Sequence, residues 1–270
     1  MAPRHTGERL HREHYAATPE AHLIRLFHEV TWAWAGPQLE GGDVLDFGCG
    51  AGEGTAAMAP HAASILGVDV AADAIEHARE HNAGPNVGYE TIEDVVPRPG
   101  GSFDVVCSFQ VLEHVADPDA YLSEARRLLR PGGVLLLATP DRRTRLMRWH
   151  RPWNRWHVRE WEPEGLARLV RRHFDDVDVL TMTGRRDVID LELRRTRRLK
   201  WLTLPVTLPL IPARLRFAAL AALFELKASR GTRERAGRGF DFDGSALAIQ
   251  RGAWPSVNLV ATARAPSASG

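Results

Sequence analysis

The spacing of apolar residues changes period along the chain, and each change marks an element. Between residues 19 and 34, Leu23, Ile24, Leu26, Phe27, Val30 and Trp34 recur on one helical face, which predicts an amphipathic helix packed against the core ahead of the first strand. From Asp43 short apolar runs alternate with helical patterns. The runs predict strands near 44–47, 64–70, 87–92, 103–108, 134–139 and 177–182; the stretches between them predict helices near 53–58, 72–82, 118–129 and 163–173, several opened by Asp or Pro. Continuous apolar strands separated by helices form βαβ units, so the expectation is a parallel sheet covered on both faces. The alternation stops after Gly184. An arginine-rich segment holding the most apolar stretches of the chain, 201–213 and 217–226, comes before a last strand-like run at 257–263, where the sheet is expected to resume.

A chain of 270 residues with 44% hydrophobic positions is long enough for one such domain with an elaboration. The apolar insertion is not expected to span a membrane, because Pro205, Pro209, Pro212, Arg214 and Arg216 interrupt it, whereas a transmembrane helix needs roughly 20 unbroken apolar residues. Cys49 falls in a glycine-rich loop and Cys107 in an apolar strand, which suggests neither a disulfide framework nor a zinc knuckle and favours a reducing compartment. Residues 1–13 show no apolar core followed by a cleavage site, so a cytoplasmic protein is expected. The formal net charge is only +1, but residues 185–240 carry fourteen Arg and Lys against five Asp and Glu. Such a block is either a solvated face or an attraction for an anionic partner.

The run Val44-Leu45-Asp46-Phe47-Gly48-Cys49-Gly50-Ala51-Gly52-Glu53-Gly54-Thr55 joins a buried strand to a helix through closely spaced glycines. Glycine admits positive φ and lets a ligand approach the backbone, and the helix start offers it N–H groups. A dinucleotide fingerprint would need glycine where Glu53 stands, or where Thr55 stands in the alternative register. The spacing is instead Gly-x-Gly-x-Gly, preceded by Asp46. Asp69 ends the second strand, where a carboxylate at the carboxyl end of an open α/β sheet can take both hydroxyls of a ribose. A nucleoside cofactor is implied.

From about 44 to 178 the chain resembles the class I methyltransferases that use S-adenosylmethionine. Their first motif is similar to 44–52, their ribose acid to Asp69, their adenine-edge segment to Thr91-Ile92-Glu93-Asp94-Val95, their fourth strand to 103–108 and their fifth to 130–137. The resemblance implies an α/β, Rossmann-like doubly wound sheet of seven strands, the last antiparallel, here with a helical insertion before that strand. It implies S-adenosyl-L-methionine as cofactor. Backbone groups of Gly48, Cys49 and Gly50 would hold the methionine part, with Asp46 orienting the loop or accepting from the ammonium. Asp69, with Val70 beside it, would take the ribose and Ile92, Glu93 and Asp94 the adenine, while Phe109 and Gln110 would border cofactor and substrate. The expected divisions are an N-terminal helical segment (1–42), the cofactor-binding core (43–184), the basic and apolar insertion (185–250) and the last strand with a tail (251–270).

The acceptor side is less specific. Phe109-Gln110-Val111-Leu112-Glu113-His114-Val115 resembles the Glu-x-x-Glu-His segment of the ubiquinone-pathway O-methyltransferases, where two acids and the histidine are associated with a divalent metal. Here Gln110 replaces the first acid, leaving Glu113 and His114, and no metal is expected. His114 is a candidate general base, or a brace for the helix start together with Glu113. Asn154-Arg155-Trp156-His157-Val158-Arg159-Glu160-Trp161 is similar to a segment that methyltransferases of quinone precursors, sugars and lipid-linked glycans carry after the fifth strand. His157 is thereby the second candidate base or substrate contact; the alternative is that Trp149, Trp153, Trp156 and Trp161 pack a lid and His157 bonds to backbone. His5, His11, His14, His22 and His28 have no spacing for a tetrahedral metal site and are expected at the surface.

No nucleic-acid-binding module is present, so no nucleic-acid partner is expected. The expected substrate is a small molecule, hydrophobic or lipid-linked, methylated on oxygen. A soluble sugar or natural product is the second expectation, and binding of the cofactor without turnover a third. For the insertion three uses stay open: a cap over the acceptor, a contact between copies, or a peripheral membrane element through 194–226 whose arginines meet lipid phosphates.

Overall fold

The computed structural model describes residues 18–95, 97–229 and 240–267. The N-terminal residues 1–17, with His5, His11 and His14, and residues 230–239 of the expected insertion lie outside the described residues. Helix α1 (Pro19–Ala35) opens as its sequence dictates, with the Thr18 hydroxyl accepting from the Ala21 N–H at 3.1 Å and a proline in the first turn. There follow β1 (Asp43–Phe47), α2 (Glu53–Met58), β2 (Ser64–Asp69), α3 (Ala72–His81), β3 (Val87–Thr91), α4 (Ile92–Val95), β4 (Phe103–Phe109), α5 (Pro118–Leu128), β5 (Leu129–Pro140), α6 (Arg142–Arg145), α7 (Pro163–Val170) and β6 (Asp175–Gly184). Helices α8 (Arg186–Leu202), α9 (Leu204–Thr207) and α10 (Ala213–Ser229) form an excursion before β7 (Leu247–Gln250) and β8 (Asn258–Arg264) return to the sheet.

The strands form one sheet in the order β3-β2-β1-β4-β5-β8-β6-β7. Pairing is parallel from β3 through β5, and β8 runs antiparallel to both β5 and β6. The sheet has eight strands rather than the seven expected. The extra one, β7, pairs antiparallel with Thr181–Gly184 of β6 at the sheet edge. It is four residues long and buries only Leu247, too short a run to read as a strand.

Alternate residues of the central strands feed two cores. Leu45, Val106, Leu135 and Leu137 pack with Leu122 and Ala125 of α5 and Leu166 and Leu169 of α7. Val44, Val105, Cys107 and Leu136 face the other way, with Ala35, Leu39 and Met58. Chain order reverses between β1 and β4, which lie side by side, and connections leaving their carboxyl ends in opposite directions open a crevice there. Helices α1 and α8 pack against each other. Among the described residues no helix is long and apolar enough to cross a membrane.

Leu136 is fully buried on β5. Replacing it with alanine is expected to lower the unfolding free energy by about 3 kcal/mol in chemical denaturation; a loss under about 1 kcal/mol would mean the site collapses around the deletion.

Candidate active site

The crevice is a cavity of about 560 Å³ bounded on one side by the glycine loop and on the other by the segment after β5. The N–H groups of Gly48 and Cys49 both donate to the Val68 carbonyl, at 2.8 and 2.9 Å, and that of Gly50 donates to Asp69 Oδ2 at 3.0 Å. The loop is thus clamped to the end of β2 by the N–H groups expected to meet the ligand. Of its carbonyls, that of Cys49 accepts from the Gly52 N–H at 3.0 Å and that of Ala51 from the Asn82 amide at 2.8 Å, each keeping a second lone pair of the kind that suits an ammonium. Gly48 has φ +102°, and a Cβ there would land inside the side chain of Val111. At Gly50 nothing lies within 4 Å of where a Cβ would stand, so bare backbone faces a ligand.

Asp46 is buried beneath the loop and accepts from the Thr55 hydroxyl at 2.6 Å. Burial pushes its carboxyl up to about 6, against the Thr55 hydrogen bond and with a further push from Asp69. The carboxylate oxygens of Asp69 each take one backbone N–H, from Gly50 and from Ala71 at 2.9 Å, and keep lone pairs for two hydroxyls. Val70 and Ile92 line the cavity beside it. Glu93 and Asp94 do not line it. The chain turns into α4 straight after β3, both are exposed, and Asp94 takes the Thr91 hydroxyl at 2.6 Å. Phe109 and Gln110 line the cavity at the end of β4; Gln110 holds φ +58°, unusual for a residue with a side chain, and its N–H donates to Ala138 at 2.8 Å.

The acceptor wall gathers residues far apart in sequence. The Glu113 carboxyl is buried; Oε2 accepts from the Thr139 hydroxyl at 2.8 Å and Oε1 has no hydrogen-bond partner. Burial raises its pKa, with His157 and His114 opposing. His114 Nδ1 lies 3.2 Å from the Trp156 carbonyl, and its ring meets that of His157 edge-on at 4.9 Å. His157 does not bond to backbone through Nδ1, which lies 2.7 Å from Glu160 Oε1. Burial would push Glu160 up, but the Arg145 guanidinium at 3.0 Å and His157 hold it below the ordinary carboxylate range. An ionised Glu160 makes Nδ1 the donor, so Nε2 carries the lone pair of the neutral ring. Arg145 also lies 4.0 Å from Glu192 of α8, which Arg195 grips through both carboxylate oxygens at 2.7 and 2.6 Å. A third potential metal donor joins Glu113 and His114 here: donor atoms of Glu113, His114 and His157 lie within 4.8 Å of one another.

The profile of the methyltransferase-domain family matches residues 11–174. The chain belongs to this family. A "probable S-adenosylmethionine-dependent methyltransferase" of Mycolicibacterium smegmatis is 36% identical over 143 residues, covering 53% of this chain and 55% of that protein. The "ubiquinone biosynthesis O-methyltransferase" of Xanthomonas euvesicatoria is 39% identical over 109 residues, 39% of this chain and 46% of that protein. The chain thus spans about half the length of these relatives. A solved S-adenosylmethionine-dependent methyltransferase of Thermotoga maritima shares the fold, with TM-score 0.54 at 17% identity over 90% of each chain. So does the [4+2]-cyclase SpnF, with TM-score 0.55 at 20% identity over 92% of this chain and 83% of that one. The bare backbone at Gly50 and the carboxylate of Asp69 suit S-adenosylmethionine, the cofactor for which the first of these relatives is named.

Several walls of the cavity carry no motif in the sequence. Helix α1 closes the cavity with Ile24, Phe27, His28 and Trp32, and the Trp32 indole sits where a Cβ on Gly54 would be 2.7 Å from Nε1. His28, expected at the surface, lines the cavity and is half-buried, as is His22, which stacks on Phe240 at 4.6 Å. Tyr121 lines the floor, its hydroxyl 2.9 Å from the Phe47 carbonyl. Of the lid tryptophans, Trp153 and Trp161 are buried, whereas Trp149 is 63% exposed. The signal that could have found Glu192 is an acid set three residues before Arg195 in an otherwise basic stretch.

The native pKa of Asp46 lies above its unfolded value, so the folded state binds the proton more tightly, and the stability this group contributes falls as pH rises through about 6. Relative to Asp46→Asn, the cofactor-free wild type is expected to lose about 2–3 kcal/mol between about pH 4 and pH 7 in urea titrations. A difference that stays constant over that range would contradict the assignment.

Proposed function

We propose that the protein transfers a methyl group from S-adenosylmethionine to an oxygen of a small, largely apolar acceptor, with His157 as general base and Glu160 as its positioning residue. The observation that carries this is a single continuous cavity with the glycine loop and Asp69 on one wall and His157 on the other. The bound cofactor supplies an activated methyl on a sulfonium. The chain's own task is then to align the acceptor, exclude water and remove a proton. The carbonyl side of the glycine loop would orient the ammonium end, and Asp69 the ribose.

Helix α1 and Phe109 give the acceptor an apolar wall, which favours a ring or an alkyl chain over a free sugar. A hydroxyl is the acceptor group that needs a base, and the relative named as an O-methyltransferase supports oxygen as the target. Glu160 fixes the His157 tautomer through Nδ1, and Arg145 keeps Glu160 ionised. We assign proton transfer, rather than cation binding, to the cluster of Glu113, His114 and His157.

His157→Ala is expected to keep cofactor affinity in isothermal titration while losing about a hundredfold or more in methyl transfer to a panel of phenols, quinols and lipid-linked glycosides. Glu160→Gln should lower kcat about tenfold or more with KM little changed. Full activity in His157→Ala, or cofactor binding without turnover of any acceptor by the wild type, would sink the proposal. Activity is expected to survive EDTA; a loss restored by a divalent cation would assign the cluster to a metal instead.

A further inference from the structure

The insertion has two sides with different chemistry. On its inner side α8 buries Glu192, Thr196 and Leu199, and Glu192 and Arg195 line the cavity. On its outer side Arg194, Arg197, Arg198 and Trp201 are all exposed and recur at the spacing of a single helical face. The chain beyond carries large apolar side chains that no described residue covers. Trp201 is 58% exposed, Leu202 56%, Leu210 91% and Leu215 62%. Leu210 stands between Pro209 and Ile211-Pro212, on a short connection from α9 to α10. Residues 193–224 contain seven Arg and Lys and no acid.

We propose that this face, from Arg194 to Leu215, is a docking surface for an anionic phospholipid bilayer. The pairing of protruding leucines and an indole with unneutralised arginines suits an interface in which apolar groups enter the acyl boundary while guanidinium groups meet phosphates. A second copy of the chain is a poorer occupant, because a two-fold contact would set this acid-free patch against itself. A nucleic acid would use the arginines but gives no reason for Leu210 to stand clear of the fold. The surface binds peripherally, since no described helix is long and apolar enough to span. Because α8 carries both the cavity wall and the arginine face, docking would set the acceptor side of the cavity against the membrane.

The test is co-sedimentation of the full chain with vesicles of phosphatidylcholine containing phosphatidylserine, against phosphatidylcholine alone, at low and high salt. Binding is expected to the anionic vesicles, to weaken with salt, and to fall about tenfold or more in each of two double variants, Leu210→Ser with Leu215→Ser and Arg197→Glu with Arg198→Glu. Unchanged cofactor affinity in calorimetry shows that the variants are folded. No sedimentation with anionic vesicles at low salt would overturn the proposal. So would a leucine variant that binds as well as wild type, since attraction would then be diffuse, or a dimer in light scattering that the leucine variant abolishes. Methyl transfer does not enter these readouts, so their failure leaves the proposed reaction standing.

Discussion

The Val68 carbonyl holds the cofactor half of the molecule together. It accepts from two consecutive N–H groups, Gly48 and Cys49, and one peptide oxygen can do so only if the chain leaving β1 bends sharply. The bend needs φ +102° at Gly48 and leaves no room for a Cβ beside Val111. Parallel register places Phe47 beside Val68, so Asp69 comes next, at the height of Gly50, whose N–H it takes. One residue of slip between β1 and β2 would separate the acid from the loop. Asp69 and the glycine loop are therefore a single unit, and the reversal of chain order at β1 and β4 is what leaves it open to the cavity.

The opposite wall is coupled to the insertion by buried charge as well as by backbone hydrogen bonds such as Val158 N–H to the Glu113 carbonyl at 2.7 Å. Glu160, Glu192 and Arg145 are buried together, with His157 at one end of the chain of contacts and Arg195 at the other. Burying such groups gains little stability, because desolvation offsets most of the attraction. Its effect is orientation: the segment after β5 supplies Arg145, His157 and Glu160, α8 supplies Glu192 and Arg195, and neither can shift without stranding a buried charge. Helix α8 thereby walls the cavity on its inner side, whatever meets its outer one.

Most of the fold was legible because each element carries its own local signal. The apolar runs of β1 to β6 and β8, the Thr18-Pro19 and Asp117-Pro118 helix starts and the glycine spacing are all short-range. Strand β7 was not, since its apolar face is only Leu247 and Ile249, too short a run to stand out, and its extended form comes from pairing with the open edge of β6. The segment 92–94 matched an adenine-binding pattern, yet only Ile92 reaches the cavity, because the helical turn of α4 carries Glu93 and Asp94 outward. The tryptophans of the lid could be counted but not sorted; burial separates Trp153 and Trp161, which pack, from Trp149, which does not.

The sequence by itself determined the order of strands and helices, the glycine loop that lines the cavity, and the short list containing His114 and His157, because these rest on spacing within a few residues. Only the tertiary structure decided which groups work together. It showed that the loop's N–H groups are taken by Val68 and Asp69, that His157 is held by Glu160 while His114 leans on a backbone carbonyl, and that α1 and α8 wall the same cavity. Those pairings join residues tens of positions apart, and their distances and desolvation arise from packing that no local pattern encodes.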